Sequence, residues 1–239
     1  MNDFDRYTTL SFDCYGTLID WENGIATALR PWAVDAGLAI DDQDLVAAHA
    51  RHETHVQQAN PVAEYPEVLA DTLRRIGSEL GVQVSEEDAT AYGQSVGEWP
   101  AFPDSADALG RLAERFKLVI LSNIDRTSFA ESNKQLGVEF DLIVTAQDVG
   151  SYKPDPANFE FMFDRLSDIG SDRTDLVHVA ESLYHDHEPA QRFGLPSVWI
   201  DRRHDREGSG AAAQPRTKVE PLWRFTSLGA FADAALDVG

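Results

Sequence analysis

From residue 105 onward the sequence alternates short apolar runs with helical stretches of similar size, and this alternation limits the fold more than any other feature. The apolar runs fall at 117–121, 142–145, 176–180 and 197–200, with 224–226 as a further one. Helical patterns fill 105–116, 126–136, 158–166 and 187–193. Strands alternating with helices of this size form βαβ units and a mostly parallel sheet. Another apolar run, 8–12, lies far upstream, and the stretch from 21 to 99 between them reads as helical throughout. It contains a helix over 24–34, where Pro31 would kink or end a turn, and another over 44–59. A third over 65–80 keeps Val68, Leu69, Leu73, Ile76 and Leu80 on one face and stops at Gly81. Ser85-Glu-Glu-Asp opens a fourth, with its acids in the first turn. No strand in this stretch can pair with the first one. The expected fold is α/β, with a Rossmann-like, mostly parallel sheet core built from residues 1–20 and 100–239 and helices on both faces. Residues 21–99 are expected to form an inserted all-helical cap domain over the carboxyl edge of that sheet. Residues 202–219, with Gly-Ser-Gly, three alanines and Pro215, read as a surface loop.

The chain has 239 residues, enough for a core and a smaller inserted domain. Its 41 acids against 20 bases give a net charge of −21. Such a surface repels nucleic acid and anionic membranes, so neither is expected as a partner. No apolar run approaches the roughly 20 residues of a membrane span, and the N-terminus lacks a basic-then-apolar signal pattern. Cys14 is the one cysteine, which rules out an internal disulfide and fits a reducing cytoplasm.

Each apolar run ends in polar residues. The first yields Asp13, followed by Tyr15, Gly16 and Thr17; the second yields Ser122 and Asn123. The third leads through Gln147 and Asp148 to Lys153, and the fourth yields Glu181 and Ser182, with His185 and Asp186 just beyond. In a parallel sheet these ends share one edge, the edge where open α/β sheets bind ligands. A carboxylate such as Asp13 can act there as a nucleophile toward a small electrophile. Lys153 is suited to keep Asp13 ionised and aligned. Thr17, Ser122 and Asn123 can donate hydrogen bonds to the carboxylates or to a leaving group, and Thr17 suits a helix N-cap equally well. Asp186 is the candidate for activating water or for pairing with Lys153.

Asp13-x-Tyr15-Gly-Thr17, Leu-Ser122-Asn123, Tyr-Lys153-Pro-Asp and Glu181-x4-Asp186 resemble, in order and spacing, the four motifs of the haloacid dehalogenase superfamily. The resemblance covers nearly the whole chain, and the helical insert resembles the cap of many members. In that superfamily the phosphatases carry, two places after the nucleophile, an Asp that protonates the leaving alkoxide. A halide leaves without a proton, so no general acid is needed. Tyr15, with a free pKa near 10, is no acid of the right strength, and the first motif therefore resembles the L-2-haloacid dehalogenase (type II) branch. The resemblance implies a hydrolytic dehalogenase of short-chain 2-haloacids that needs no cofactor. Asp13 would displace halide to form an ester, and water would then release a 2-hydroxy acid of inverted configuration. Tyr15, Asn123 and Ser182 would line the substrate wall, and His185 would either assist the hydrolytic water or replace the aromatic wall. The resemblance also implies an arginine from the early cap for the carboxylate of the small anionic substrate. Arg51, in Ala50-Arg51-His-Glu, falls at about the matching distance, with Arg30 and Arg126 as rivals. Dimers are common among proteins similar to this one, so a homodimer is a further expectation.

The fourth motif departs from the dehalogenase pattern, which carries Ser, Asn and an aromatic before its Asp. Here Leu183 stands in place of that asparagine, and Glu181 restores an acid where the phosphatases place a magnesium ligand. The alternative is a Mg2+-dependent small-molecule phosphatase with its ion held by Asp13, the Tyr15 carbonyl, Glu181 and Asp186. His49, His52 and His55, at i, i+3 and i+6, read as a polar helix face rather than a metal site.

Overall fold

The computed structural model describes residues 3–205 and 213–237. Six strands form one sheet: β1 (Thr9–Phe12), β2 (Lys117–Ser122), β3 (Leu142–Thr145), β4 (Leu176–Ala180), β5 (Ser197–Ile200) and β6 (Trp223–Phe225). Their order is β3-β2-β1-β4-β5-β6, and every pairing is parallel. The strand order reverses beside β1, and in such sheets that reversal opens a crevice at the carboxyl ends of the strands.

Period-two alternation splits the strand side chains between two apolar layers. Leu10, Phe12, Leu118, Ile120, Val177 and Val179 join one core, while Val119, Leu121, Val144 and Leu176 join the other. The first core is covered by α5 (Ser105–Ala113) and α10 (Leu228–Leu236), and the second by α8 (Pro156–Arg165). Both faces of the sheet are thus packed by helices, as burial of an all-parallel sheet requires. The remaining outer elements are α6 (Arg126–Leu136), α7 (Ala146–Val149) and α9 (Glu188–Arg192).

Between β1 and α5 the chain makes only helices and turns: α1 (Trp21–Asp35), α2 (Asp42–Ala59), α3 (Tyr65–Leu80), α4 (Glu86–Gly93) and a 3₁₀ turn at Ser95–Glu98. The starts of α2 and α4 are fixed by Asp41 and Ser85, whose side chains accept from Asp44 and Asp88 N–H. Helix α3 ends on Gly81, whose φ of +72° only glycine adopts without strain. Helix α1 is longer than the sequence pattern indicates. Asp20 accepts from Asn23 N–H and starts it at Trp21, and it continues through Pro31 to Asp35. An interior proline costs about 3 kcal/mol in an isolated helix. Burial of Leu29, Trp32 and Ala33 around it opposes that cost.

The helical stretch rests on the sheet-bearing part through specific contacts. Tyr152 Oη donates to Ala63 O at 2.8 Å, and Gln147 Nε2 donates to Glu64 Oε1 at 2.7 Å. Trp99 is buried and packs edge-on against Tyr15 at 5.8 Å and Tyr65 at 6.5 Å. Gly24 permits this, because a Cβ there would lie 2.3 Å from Trp99 Cγ. Of the expected 202–219 loop, residues 206–212 lie outside the described residues, and the rest contains no helix or strand. Among the described residues no helix is long and apolar enough to cross a membrane.

Candidate active site

Asp13 follows β1 directly, and the chain then turns sharply at Gly16, whose φ is +94°. That turn carries Thr17 back under the carboxylate, and Thr17 Oγ1 donates to Asp13 Oδ2 at 2.7 Å. The same hydroxyl accepts from Glu181 N–H at 2.9 Å, which ties the β1 turn to the end of β4. Lys153 Nζ donates to Asp13 Oδ1 at 3.0 Å, to Asp186 Oδ1 at 2.6 Å and to Leu121 O at 2.8 Å. Asn123 holds the Lys153 backbone from both sides, accepting from its N–H at 2.6 Å and donating to its carbonyl at 3.1 Å. Asp186 lies in a π-turn at Leu183–His187, capped by Ser182 Oγ, which accepts from His185 N–H at 3.1 Å.

A buried polar line extends this group. His178 Nε2 donates to Asp186 Oδ1 at 3.0 Å, and Ser11 Oγ donates to His178 Nδ1 at 2.9 Å. Ser11 and His178 are register partners on β1 and β4, so the nucleophile's strand also anchors its lysine's second carboxylate. Sequence reasoning missed His178. Its signal is a lone polar ring inside the apolar run 176–180.

These side chains surround a cavity of about 40 Å³, lined by Asp13, Tyr15, Ser122, Asn123, Lys153 and Glu181, with Ser182, His185 and Asp186 completing one side. Gln57, Lys153 and His185 also line an outer cleft of about 390 Å³. Tyr15 Oη shares a 2.7 Å hydrogen bond with Ser132 Oγ, and burial drives its phenol well above the ordinary range. Tyr15 therefore packs as a wall and holds its proton. Ser122 Oγ and Asp186 Oδ2 are buried without a partner among the described residues.

Burial pushes the Asp13 carboxyl up, the Lys153 ammonium pulls it back, and Asp186 opposes that pull. Both Asp13 oxygens accept hydrogen bonds, the pattern of a carboxylate. Lys153 is raised: burial opposes its charge, but Asp13 and Asp186 outweigh burial. Burial likewise works against Asp186, yet Lys153 and His178 hold it far below the usual carboxylate range. Burial lowers His185 and keeps its imidazole neutral. Glu181 is pushed up to about 8, first by burial and then by Asp13, Glu22 and Asp186, with Arg203 opposing.

The structure does not bring the arginine candidates to this cavity. Arg51 is exposed and pairs with Glu79 at 2.7 Å, Arg30 pairs with Asp42, and Arg126 pairs with Asp148. The position on α2 that meets the cavity is Glu53, with Gln57 one turn on, and Trp21 and Tyr65 stand beside them. The histidine triplet divides as well. His49 is buried and accepts from Tyr92 Oη at 2.7 Å, whereas His52 pairs with Glu79 and His55 bonds the Arg51 carbonyl. Leu183 does not line the cavity.

The proposed magnesium donors do not fit an ion as they stand. The Lys153 ammonium already lies between Asp13 and Asp186, Thr17 takes the second Asp13 oxygen, and His178 shares Asp186 Oδ1 with Lys153. Among the described residues no group of three or more His, Cys, Asp or Glu is arranged to hold a metal.

Residues 7–194 match the model of a haloacid dehalogenase-like hydrolase family. A relative from Pseudomonas fluorescens named (S)-2-haloacid dehalogenase is 26% identical over 197 residues, covering 81% of this chain and 84% of that protein. A ribulose-1,5-bisphosphate 5-phosphatase from Halopiger xanaduensis is 26% identical over 156 residues, covering 61% of this chain and 63% of that protein. The crystal structure of the defluorinating L-2-haloacid dehalogenase Rha0230 superposes with a TM-score of 0.77 at 21% identity, covering 95% of this chain and 94% of that one. That likeness establishes the fold.

Proposed function

The chain belongs to the haloacid dehalogenase-like hydrolases, and from that membership we propose a hydrolytic dehalogenase that works through an ester of Asp13. The observation that carries this reading is the state of Asp13: buried, accepting on both oxygens, and paired to an ammonium that cannot leave it. No acid stands two places on, where Tyr15 keeps its proton. Such a site suits a leaving group that departs as a stable anion. In this reading residues 1–20 and 100–239 are the catalytic core and the helices of 21–99 are its cap.

Asp13 Oδ1 or Oδ2 attacks the halogen-bearing carbon in line; the C–O bond forms as the C–halogen bond breaks. Lys153 and Thr17 fix the attacking carboxylate. Ser122 Oγ, buried and unpartnered, is the donor available to the departing halide. Water then adds to the Asp13 acyl carbon, and the ester breaks to give an alcohol and the free carboxylate. Asp186 is too weak a base to take that water's proton, whereas neutral His185 lines the same cavity. No cofactor enters this sequence of steps. Because relatives are named (S)-2-haloacid dehalogenase, short 2-haloacids, which would yield 2-hydroxy acids, are the first compounds to try.

The test supplies 2-chloropropionate, 2-chloropropionamide and 3-chloropropylammonium in heavy-oxygen water with chelator present. Halide release, abolished in Asp13→Asn, and heavy oxygen in Asp13 after a single turnover are expected. No halide above the Asp13→Asn background from any of the three overturns the reading.

A second reading is the phosphatase alternative, for which one observation speaks: Glu181 lines the cavity beside Asp13 and Asp186. Chelator-sensitive phosphate release from small phosphomonoesters, lost in Glu181→Gln, is its test.

A further inference from the structure

The cavity around Asp13 is the wrong sign for a substrate that arrives as an anion. Its lining contains three acids held as carboxylates, Asp13, Glu53 and Asp186, a fourth, Glu181, that burial keeps protonated at neutral pH, and a single lysine or arginine, Lys153. That lysine is shared between Asp13 and Asp186. The outer cleft does hold Arg192 and Arg216, but Arg192 pairs with Glu188 and Arg216 bonds Tyr184 Oη, and neither reaches the inner cavity.

Glu53 is the side chain that the reaction at Asp13 does not use. It is 6% exposed and lines the cavity from α2. Tyr65 Oη donates to its Oε1 at 2.7 Å, and His49 Nε2 lies 3.6 Å from the same atom. Among the described residues no group donates to Oε2. Burial works against its charge, but the His49 ring and the Tyr65 hydroxyl outweigh burial and hold the carboxyl below the ordinary range. A buried carboxylate with one oxygen unclaimed is costly unless a cation or donor completes it. Among the described residues none does so.

The walls beside it are aromatic. Trp21, Tyr15 and Tyr65 line the same cavity, with the two tyrosine rings 6.5 Å apart. Aromatic faces around a carboxylate are the chemistry that receives an ammonium group. Two buried polar atoms without a partner among the described residues, Ser122 Oγ and Asp186 Oδ2, belong to residues of this lining. They mark it as a cavity finished by a ligand. Its 40 Å³ corresponds to about two or three waters, so that ligand has few heavy atoms. The net charge of −21 draws small cations toward the molecule and repels small anions.

We propose that Glu53, with Trp21, Tyr15 and Tyr65, receives an ammonium group at the non-reacting end of a short substrate, in place of the carboxylate that a 2-haloacid would present. The proposal rests on the reading of this cavity as the substrate site and deepens it by naming the class of substrate.

The test titrates the full chain with propylammonium and, separately, with propionate at neutral pH, by calorimetry and by tryptophan fluorescence. Propylammonium is expected to bind at least ~10-fold more tightly than propionate, and Glu53→Gln is expected to erase the preference. Equal or tighter binding of propionate, no saturable binding of propylammonium, or a preference unchanged in Glu53→Gln overturns the proposal. The wild-type ratio decides the matter even if the variant does not fold. Halide assays separate this outcome from the reaction class. A kcat/KM for 2-chloropropionate equal to or above that for 3-chloropropylammonium overturns the ammonium proposal and leaves the dehalogenase standing. Selective ammonium binding without halide from any substrate does the reverse.

Discussion

At the scale of single residues, the proposed reaction divides the site between a group that attacks and a group that moves protons. Asp13 and Asp186 are held by Lys153, so neither is a free base. His185 is neutral and, among the described residues, hydrogen-bonds Ser182 and no carboxylate. His185→Gln is therefore expected to slow ester hydrolysis by about 10²-fold or more while leaving ester formation intact. Intact-mass spectra taken during turnover should then show the ester accumulating, and a variant that forms no ester would contradict the assignment. Glu181 makes a second prediction. Its folded pKa of about 8 lies above the ordinary 4.5, so the folded protein holds a proton there that the unfolded chain has lost. That contribution is fully present below the ordinary value and disappears as pH rises through 8. Glu181→Gln should flatten the fall in stability between pH 5 and 9 and be the more stable protein at pH 9, by on the order of 2 kcal/mol after allowance for its partial exposure. Denaturant titrations at both ends of that range measure it.

Which residues meet at the site was legible wherever a residue follows a strand. Asp13, Ser122, Asn123 and Glu181 sit within a residue or two of a strand end, where a parallel sheet leaves no choice of edge. Glu53 was not legible, because its place depends on the rotational phase of α2.

Elements supply that phase. The buried face of α2 carries Leu45, His49, Glu53, Val56 and Gln57. Arg51 lies two residues from both His49 and Glu53, about 200° around the axis, and so faces away from the cavity. Choosing Arg51 by its distance along the chain overlooked the apolar stripe that fixes which way the helix rolls. Pro31 misled in a similar way, because local propensity yields to the packing of Leu29 and Trp32. The α1–Trp99 contact yields the prediction at this scale. In Gly24→Ala the new methyl would meet Trp99 Cγ at 2.3 Å and Cβ at 2.6 Å. Alanine is the better helix former by about 1 kcal/mol, yet overpacking of this kind costs about 1–3 kcal/mol. The variant should melt several degrees lower. Because Trp99 packs on Tyr15, it should also lose activity at temperatures where it is still folded.

For the whole molecule, the alternation of strands and helices settles the sheet, and the strand-free stretch before residue 100 settles what lies outside it. The net charge of −21 acts on everything. Most ion pairs are exposed, such as Arg74–Glu86 and Lys218–Glu220, and contribute little each. Self-repulsion of the acids is the larger long-range term. Raising sodium chloride from 0.05 to 1 M is expected to raise the melting temperature, since screening relieves repulsion more than it weakens those pairs. A melting temperature that falls steadily with salt would show the pairs to dominate.

The seam at Tyr152–Ala63 and Gln147–Glu64 runs beside a chamber with walls from both halves of the chain. Gln57, Lys153 and His185 border both that chamber and the outer cleft of about 390 Å³, so the cleft is its approach from solvent. Under the proposed reading, traffic in and out passes those three side chains, and their clearance rather than the attack on carbon can pace turnover.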